Sequence, residues 1–193
     1  MWTVIVPVKP AEIGKSRLGA DPELVRAIAL DTIDAVLAAS RVDRVLVVTA
    51  DRTLDTAAEL VPEVAPRGLA AAIATGLRAA GDDVPRAVLL GDLPALRPQD
   101  LDDALHRADA VPSGFVADRE GTGTTLVTAG AGIELRHAFG AGSAEGHRRL
   151  ALAELVLPTG STVPLDVDTP EQLAATAALG PRTAAALGAL TTA

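Results

Sequence analysis

Short apolar runs alternating with helical patterns are what most restrict the fold of this chain. Strand-like segments recur at Thr3 to Val8, Val45 to Thr49, Ala87 to Leu90, Gly114 to Ala117 and Thr124 to Thr128, and the first several are joined by stretches with helical spacing. Four continuous apolar residues, as in Ala87-Val88-Leu89-Leu90, suit a strand buried on both faces, the usual state of strands in a parallel sheet covered by helices. The pattern predicts an α/β fold with a mostly parallel, doubly wound central sheet flanked by helices. Ligands of such sheets bind just beyond the carboxyl ends of the strands, so residues at those ends are the candidates for chemistry.

The first helix is marked by Asp21 as N-cap and Pro22 at the first helical position, followed by Leu24, Val25, Ile28, Ile33, Val36 and Leu37. Further helices are expected at Leu69 to Ala80, Pro98 to Ala108, Ser143 to Leu152 and Pro170 to Leu179. The last of these opens on Thr169-Pro170-Glu171-Gln172, a capping box with proline at the first helical position. From about Ala174 onward the chain is rich in alanine, and either a helix or a frayed tail is expected. There is no internal repeat and no interdomain linker. A chain of 193 residues, 49% of them hydrophobic, can bury a real core, so one domain spanning residues 1–193 is expected.

A net charge of -8 argues against nucleic acid or an anionic membrane as partner, because both call for Lys/Arg patches. An anionic ligand would need local positive charge or a metal. The chain has no cysteine, and its three histidines, His106, His137 and His147, are too scattered to suggest zinc. Oxygen ligands and a hard cation remain. The opening residues lack a signal-peptide pattern and no run is long enough to span a bilayer, so a cytoplasmic enzyme or binding protein is expected.

Asp92 stands at the end of a strand in Leu90-Gly91-Asp92-Leu93-Pro94, where an α/β enzyme would hold a metal; Gly-Asp-x-Pro also serves as a plain strand-ending turn. Asp166 and Asp168 alternate in an extended segment, Leu165 to Pro170, so both carboxylates point the same way and can join Asp92 at one site. The competing role, capping the next helix, is already filled by Thr169. Two or three carboxylates together with substrate phosphates suit Mg²⁺, which keeps waters and seldom takes a full protein cage.

The loop after the first strand, Pro7 to Leu18, carries Lys9, Lys15 and Arg17 in an otherwise acidic protein. Gly14-Lys15-Ser16 is not the end of a P-loop, since that motif needs a glycine where this chain has Lys9. A looser basic loop can still pin a triphosphate, with backbone N–H groups near Gly14 approaching the phosphates; ordinary surface charge is the other reading. Gly121-Thr122-Gly123-Thr124-Thr125 and Phe139-Gly140-Ala141-Gly142-Ser143, the latter with Ser143 as expected N-cap, read either as anion cradles or as a hairpin turn and a capped helix. His147 and Arg148 either assist there or are surface polar residues. Pro66-Arg67-Gly68-Leu69 either passes under a nucleobase or ribose or is only a βα turn.

Taken in order, Val6-Pro7-Val8-Lys9 with Gly14 to Leu18, Gly91-Asp92-Leu93-Pro94, Gly121-Thr122-Gly123-Thr124, Phe139-Gly140 with Ser143, and Asp166-Val167-Asp168-Thr169-Pro170 resemble the phosphoenolpyruvate or 2-phospho-L-lactate guanylyltransferases of coenzyme F-420 biosynthesis, nearly end to end. The resemblance implies a Rossmann-like nucleotidyltransferase fold and transfer of GMP from GTP to a three-carbon phosphate, with release of pyrophosphate. It implies Lys9, Lys15 and Arg17 on the GTP phosphates, with Pro7, Gly14 and Gly68 along the nucleotide. Asp92, Asp166 and Asp168 would hold Mg²⁺, and Thr124, Thr125, Gly140 and Ser143 would cradle the phospho-acid. A downstream biosynthetic enzyme that accepts the labile product is the implied protein partner. Two positions depart from some members, which have asparagine where this chain has Thr125 and Ala70.

The residue inventory agrees with this chemistry. A phosphate monoester, with a second pKa of about 6, is already a dianionic nucleophile at neutral pH and needs no histidine or serine base. Two rivals remain: another nucleotidyltransferase, of molybdenum cofactor or sugar-phosphate type, distinguished by the base it reads, and a non-catalytic nucleotide-binding module, which would not need paired metal carboxylates.

Overall fold

The computed structural model describes residues 1–8, 21–63 and 67–192. Its strands are β1 (Trp2–Pro7), β2 (Val42–Thr49), β3 (Glu59–Pro62), β4 (Arg86–Leu89), β5 (Ser113–Ala117), β6 (Thr124–Ala129) and β7 (Ala153–Glu154). Its helices are α1 (Pro22–Leu37), α2 (Leu69–Ala80), α3 (Pro98–Ala108), α4 (Ser143–Arg149), α5 (Pro170–Ala175) and α6 (Pro181–Thr192). The strands form one sheet in the order β3-β2-β1-β4-β6-β5-β7. All neighbours pair in parallel except that β6 runs against both β4 and β5. The reversal follows from the short connection between β5 and β6, which permits only an antiparallel hairpin.

The predicted mostly parallel sheet is therefore present, with two strands the apolar pattern did not mark. β3 is four residues long and half exposed, and β7 has only two residues, so neither carries the periodicity of a buried strand. Helix boundaries also moved. α4 stops at Arg149 rather than Leu152, because Ala151 turns to a φ of 59°, a left-handed conformation that no helix continues through. α5 ends at Ala175, and the alanine-rich tail forms the separate helix α6.

Every residue of β1 is buried, as a central strand covered on both faces requires. On one face Val4, Val6, Val45, Val47, Ala87 and Leu89 pack with Ile33 and Val36 of α1 and Leu101 and Leu105 of α3. On the other, Ile5, Leu46, Val48 and Val88 pack with Ala72 and Ile73 of α2, and Phe115 and Val127 with Ala144 of α4. α2 crosses the sheet so closely that a Cβ on Gly76 would lie 2.4 Å from Cγ2 of Ile5.

Two of the caps read from sequence, Asp21 and Thr169, are formed. The Asp21 carboxylate accepts the Glu23 N–H at 2.8 Å ahead of Pro22, and Thr169 and Gln172 make the reciprocal capping box of α5. α6 is held by a longer-range cap: buried Asp31 in α1 accepts the N–H groups of Arg182 at 3.1 Å and Thr183 at 2.7 Å. Gly180 makes this approach possible, since a Cβ there would lie 2.3 Å from the Asp31 carboxyl carbon. No helix among the described residues is long and apolar enough to cross a membrane.

Candidate active site

Four segments meet at the carboxyl edge of the sheet, and backbone hydrogen bonds tie each to the next. The Leu90 N–H donates to the Thr125 carbonyl at 3.0 Å, joining the end of β4 to β6. The Val167 N–H donates to the Asp92 carbonyl at 2.9 Å, bringing the second acidic segment beside the first. The Ala144 N–H donates to the Thr122 carbonyl at 3.1 Å, fixing the start of α4 against the β5–β6 turn.

Asp92 is positioned from below as well. Thr32, fully buried in α1, donates to the Ile28 carbonyl and accepts the Leu93 N–H at 3.0 Å, while the Pro94 carbonyl accepts the Gly180 N–H at 2.7 Å. Gly91 lets β4 leave the sheet hard against β1, for a Cβ there would lie 3.3 Å from the Pro7 carbonyl and 3.2 Å from Cγ2 of Val8. Asp166 and Asp168 flank Val167, which is buried with Leu24, Ile28 and Leu173. The alternation expected of an extended segment thus sends one side chain into the core and leaves the two carboxylates partly exposed.

The charges interact. Burial lifts the Asp166 carboxyl to about 7, and the neighbouring carboxylates of Asp92, Asp118 and Asp168 push it in the same direction. Like charges held this close disfavour joint ionisation unless a cation intervenes. Carboxylate oxygens of Asp118, Glu120 and Asp166 can all lie within 4.8 Å of one another. An all-oxygen acidic set of this kind fits a hard divalent cation.

Asp118 and Glu120 were not among the candidates read from the sequence. The signal was available, because Asp118 follows the predicted strand Gly114 to Ala117 just as Asp92 follows Ala87 to Leu90. Asp118 also builds its own turn, its carboxylate accepting the N–H groups of Thr122 at 2.9 Å and Gly123 at 2.7 Å. Gly123 has to be glycine here, since a Cβ would meet Oδ2 of Asp118 at 2.3 Å. Gly121 to Gly123 form the tip of the β5–β6 hairpin, and Glu120, just before it, accepts from the Gln172 side chain of α5 at 3.3 Å.

The residues expected to cradle the acceptor lie on β6 and in the loop and first turn of α4. Thr124, Thr125 and Ser143 are all buried, and the Thr125 hydroxyl makes no hydrogen bond among the described residues. Gly140, with φ of 134°, precedes α4. Ser143 is the first residue of α4 and not its cap: Gly142 takes the N-cap position in the left-handed conformation, φ 69°. A left-handed residue there favours glycine, which a sequence reading keyed to Ser/Thr/Asp/Asn caps overlooks.

His147 is no surface residue. It is fully buried, its ring 5.4 Å from that of Phe115 and 5.3 Å from that of Phe139. Burial and nearby His137 push its pKa down to about 4, against a smaller upward pull from the Ser143 backbone. Arg148 stays at the surface and pairs with Glu154 at 2.9 Å.

Of the residues expected along the nucleotide, Pro7 ends β1, one residue before the Val8 end expected from the sequence. Gly68 is the N-cap of α2 with φ of 91° and no side-chain cap. Lys9, Gly14, Lys15 and Arg17 lie outside the described residues, as does Pro66.

A family model described as the MobA-like NTP transferase domain matches residues 25–187. The phosphoenolpyruvate guanylyltransferase of Geodermatophilus obscurus is 44% identical, over 97% of this chain and 94% of its own length. That of Streptomyces scabiei is 46% identical, over 98% of this chain and 97% of its own. The chain belongs to the phosphoenolpyruvate guanylyltransferase family. Among solved structures, a nucleotidyl transferase from Methanothermobacter superposes with a TM-score of 0.58 at 21% identity, covering 91% of this chain and 95% of that one. Fold and family together make the chain a nucleotidyltransferase, an enzyme.

Proposed function

We propose that this enzyme transfers the guanylyl group of GTP to the phosphate of phosphoenolpyruvate, releasing pyrophosphate. A phosphate oxygen of the acceptor attacks the α-phosphorus of GTP, the bond to the bridging oxygen of the β-phosphate breaks, and that oxygen leaves with pyrophosphate. The observation that carries the reading is end-to-end similarity to phosphoenolpyruvate guanylyltransferases in a chain whose carboxyl edge gathers Asp92, Asp118, Asp166 and Asp168. Mg²⁺ held by Asp92, Asp166 and Asp168 would neutralise charge on the reacting phosphates. Lys9, Lys15 and Arg17 would bind the triphosphate and offset charge on the departing pyrophosphate. Thr124, Thr125, Gly140 and Ser143 would hold the phospho-acid in line, and Pro7, Gly14 and Gly68 would lie along the nucleotide. One domain does all of this, and a later enzyme of the same pathway takes over the labile product.

The test is a matrix of four NTPs against phosphoenolpyruvate, 2-phospho-L-lactate and 3-phosphoglycerate with Mg²⁺, reading pyrophosphate release and product mass. GTP with phosphoenolpyruvate is expected to be the fastest pair. No turnover of GTP with any of the three would sink the proposal.

A further inference from the structure

We propose that His147 is a positioning residue for the acceptor: it fixes the Thr124 hydroxyl as a hydrogen-bond donor and ties the Phe139 to Ser143 loop to the same point. The inference rests on the acceptor site described above and assigns a role to a residue that need not touch the substrate.

The hydrogen bonds decide the proton positions. The Ala138 N–H donates to Nε2 of His147 at 2.9 Å, so Nε2 offers a lone pair and a neutral ring carries its hydrogen on Nδ1. Nδ1 lies 2.9 Å from Oγ1 of Thr124. The threonine oxygen therefore accepts, and its own hydrogen remains available; among the described residues Thr124 donates to nothing. Phosphate and carboxylate groups only accept hydrogen bonds at neutral pH. A hydroxyl set in this sense suits an anionic acceptor, whereas the opposite tautomer would take its hydrogen inward and present a lone pair to the anion. The low pKa of His147 keeps this arrangement through the physiological range.

Sheet register makes the contact possible. Val116 pairs with Leu126 but Ala117 pairs with Thr124, so the ladder shifts by one residue at Thr125. Without that bulge, Thr124 would share the face of Leu126, which packs in the α1 and α3 core. A one-residue shift moves a side chain to the other face, and Thr124 meets α4 instead. The same imidazole then spans two walls, β6 through Thr124 and the loop before α4 through Ala138.

Two amides separate the two bonds. Asparagine at 147 places its N–H₂ near the position of Nδ1 and keeps a donor toward Thr124; glutamine reaches the position of Nε2 and keeps only an acceptor for Ala138. With GTP saturating, His147→Gln is expected to raise the KM for phosphoenolpyruvate at least about 10-fold, as loss of an oriented donor to a charged group should, while the KM for GTP stays within about twofold. His147→Asn should rescue most of that loss. Thr124→Val should match His147→Gln, and the double variant should be no worse than Thr124→Val alone. Equal effects of the two amides, additive effects in the double variant, or parallel changes in both KM values would overturn the proposal.

Nitrogen-15 NMR of the wild-type imidazole supplies a readout independent of variant folding. Nδ1–H with unprotonated Nε2 at pH 7, and a shift of the Nδ1 resonance on titration with phosphoenolpyruvate, are expected; an Nε2–H tautomer or no shift would overturn the inference. If the wild type binds phosphoenolpyruvate with that shift yet turns over no GTP, the guanylyltransferase reading fails and the His147 assignment stands.

Discussion

On one side of β4, strands β1 to β3 bury valine, leucine and isoleucine against α1 and α2. On the other, β5 and β6 set Phe115, one of only two phenylalanines in the chain, against a buried histidine, and the second, Phe139, closes on the same ring. The first half is held by interchangeable aliphatic contacts. The second depends on a bulge, a left-handed glycine cap, a carboxylate-built turn and an imidazole with both nitrogens engaged. A parallel half of this kind needs only volume and pattern, while the half expected to hold the acceptor needs fixed hydrogen-bond directions, and those tolerate less change.

The largest effect should expose that contrast in stability. Phe115→Ala is expected to cost about 3–5 kcal/mol, whereas Ile5→Val, a one-carbon truncation in the aliphatic half, should cost about 0.5–1.5 kcal/mol. Urea denaturation measures both, and a Phe115→Ala cost no larger than that of Ile5→Val would show that the aromatic half is loosely packed. Next comes the seam between them. Asp92→Asn is expected to lower kcat at least about 100-fold, the scale of losing a metal ligand's charge. The thermal midpoint should change little, and a near-normal rate would place the reacting centre elsewhere.

His147 gives a smaller effect, specific to the half that contains β5 and β6. Its folded pKa of about 4 lies below the unfolded value of about 6.5, so between these limits the unfolded chain binds more protons. The stability contribution is complete above pH 6.5 and is lost as pH falls toward 4. From pH 7 to pH 5 the loss should be about 2 kcal/mol. His137, also lowered by burial, adds to the slope, so the diagnostic comparison is between wild type and His147→Gln, in which the pH dependence should flatten. An unchanged slope would mean that folding does not lower the pKa of this histidine.

The same division explains what could be read from the sequence. Apolar runs announced β1, β2 and β4, and Asp21-Pro22 and Thr169 to Gln172 announced their helices, because local pattern and tertiary burial agree there. Of Asp118, Glu120 and Asp166, whose carboxylate oxygens lie within 4.8 Å of one another, only Asp166 was legible, as one of two alternating carboxylates in an extended segment. Thr32 under Leu93 and Asp31 under α6 were not, since a polar residue on a helix is ordinarily read as solvated and only the fold shows its distant partner. His147 was ambiguous for a related reason: the residues that make it a core side chain are Thr124, 23 positions away, and Phe115. The bulge that faces Thr124 toward it leaves no mark in composition.

The smallest predicted effect tests whether the carboxylate cluster at the seam behaves as a cation site. Asp166, raised to about 7 mainly by burial and by Asp92, Asp118 and Asp168, titrates above its unfolded pKa. Its protonated form therefore favours folding at low pH, and that contribution is lost as pH rises from about 4 through 7. At pH 8 the group is ionised and free to take Mg²⁺, while at pH 6 the metal must displace a proton and bind about tenfold more weakly. With Mg²⁺ at about ten times the pH 8 Kd, the stabilisation should be about 1.4 kcal/mol at pH 8 and about 0.4 kcal/mol at pH 6, in each case reversed by EDTA. Asp166→Asn should be more stable than wild type at pH 8 without metal and should lose the difference between the two pH values. Equal Mg²⁺ stabilisation at both would mean that Asp166 does not ligate the ion, and the cation would then rest on Asp92 and its other neighbours.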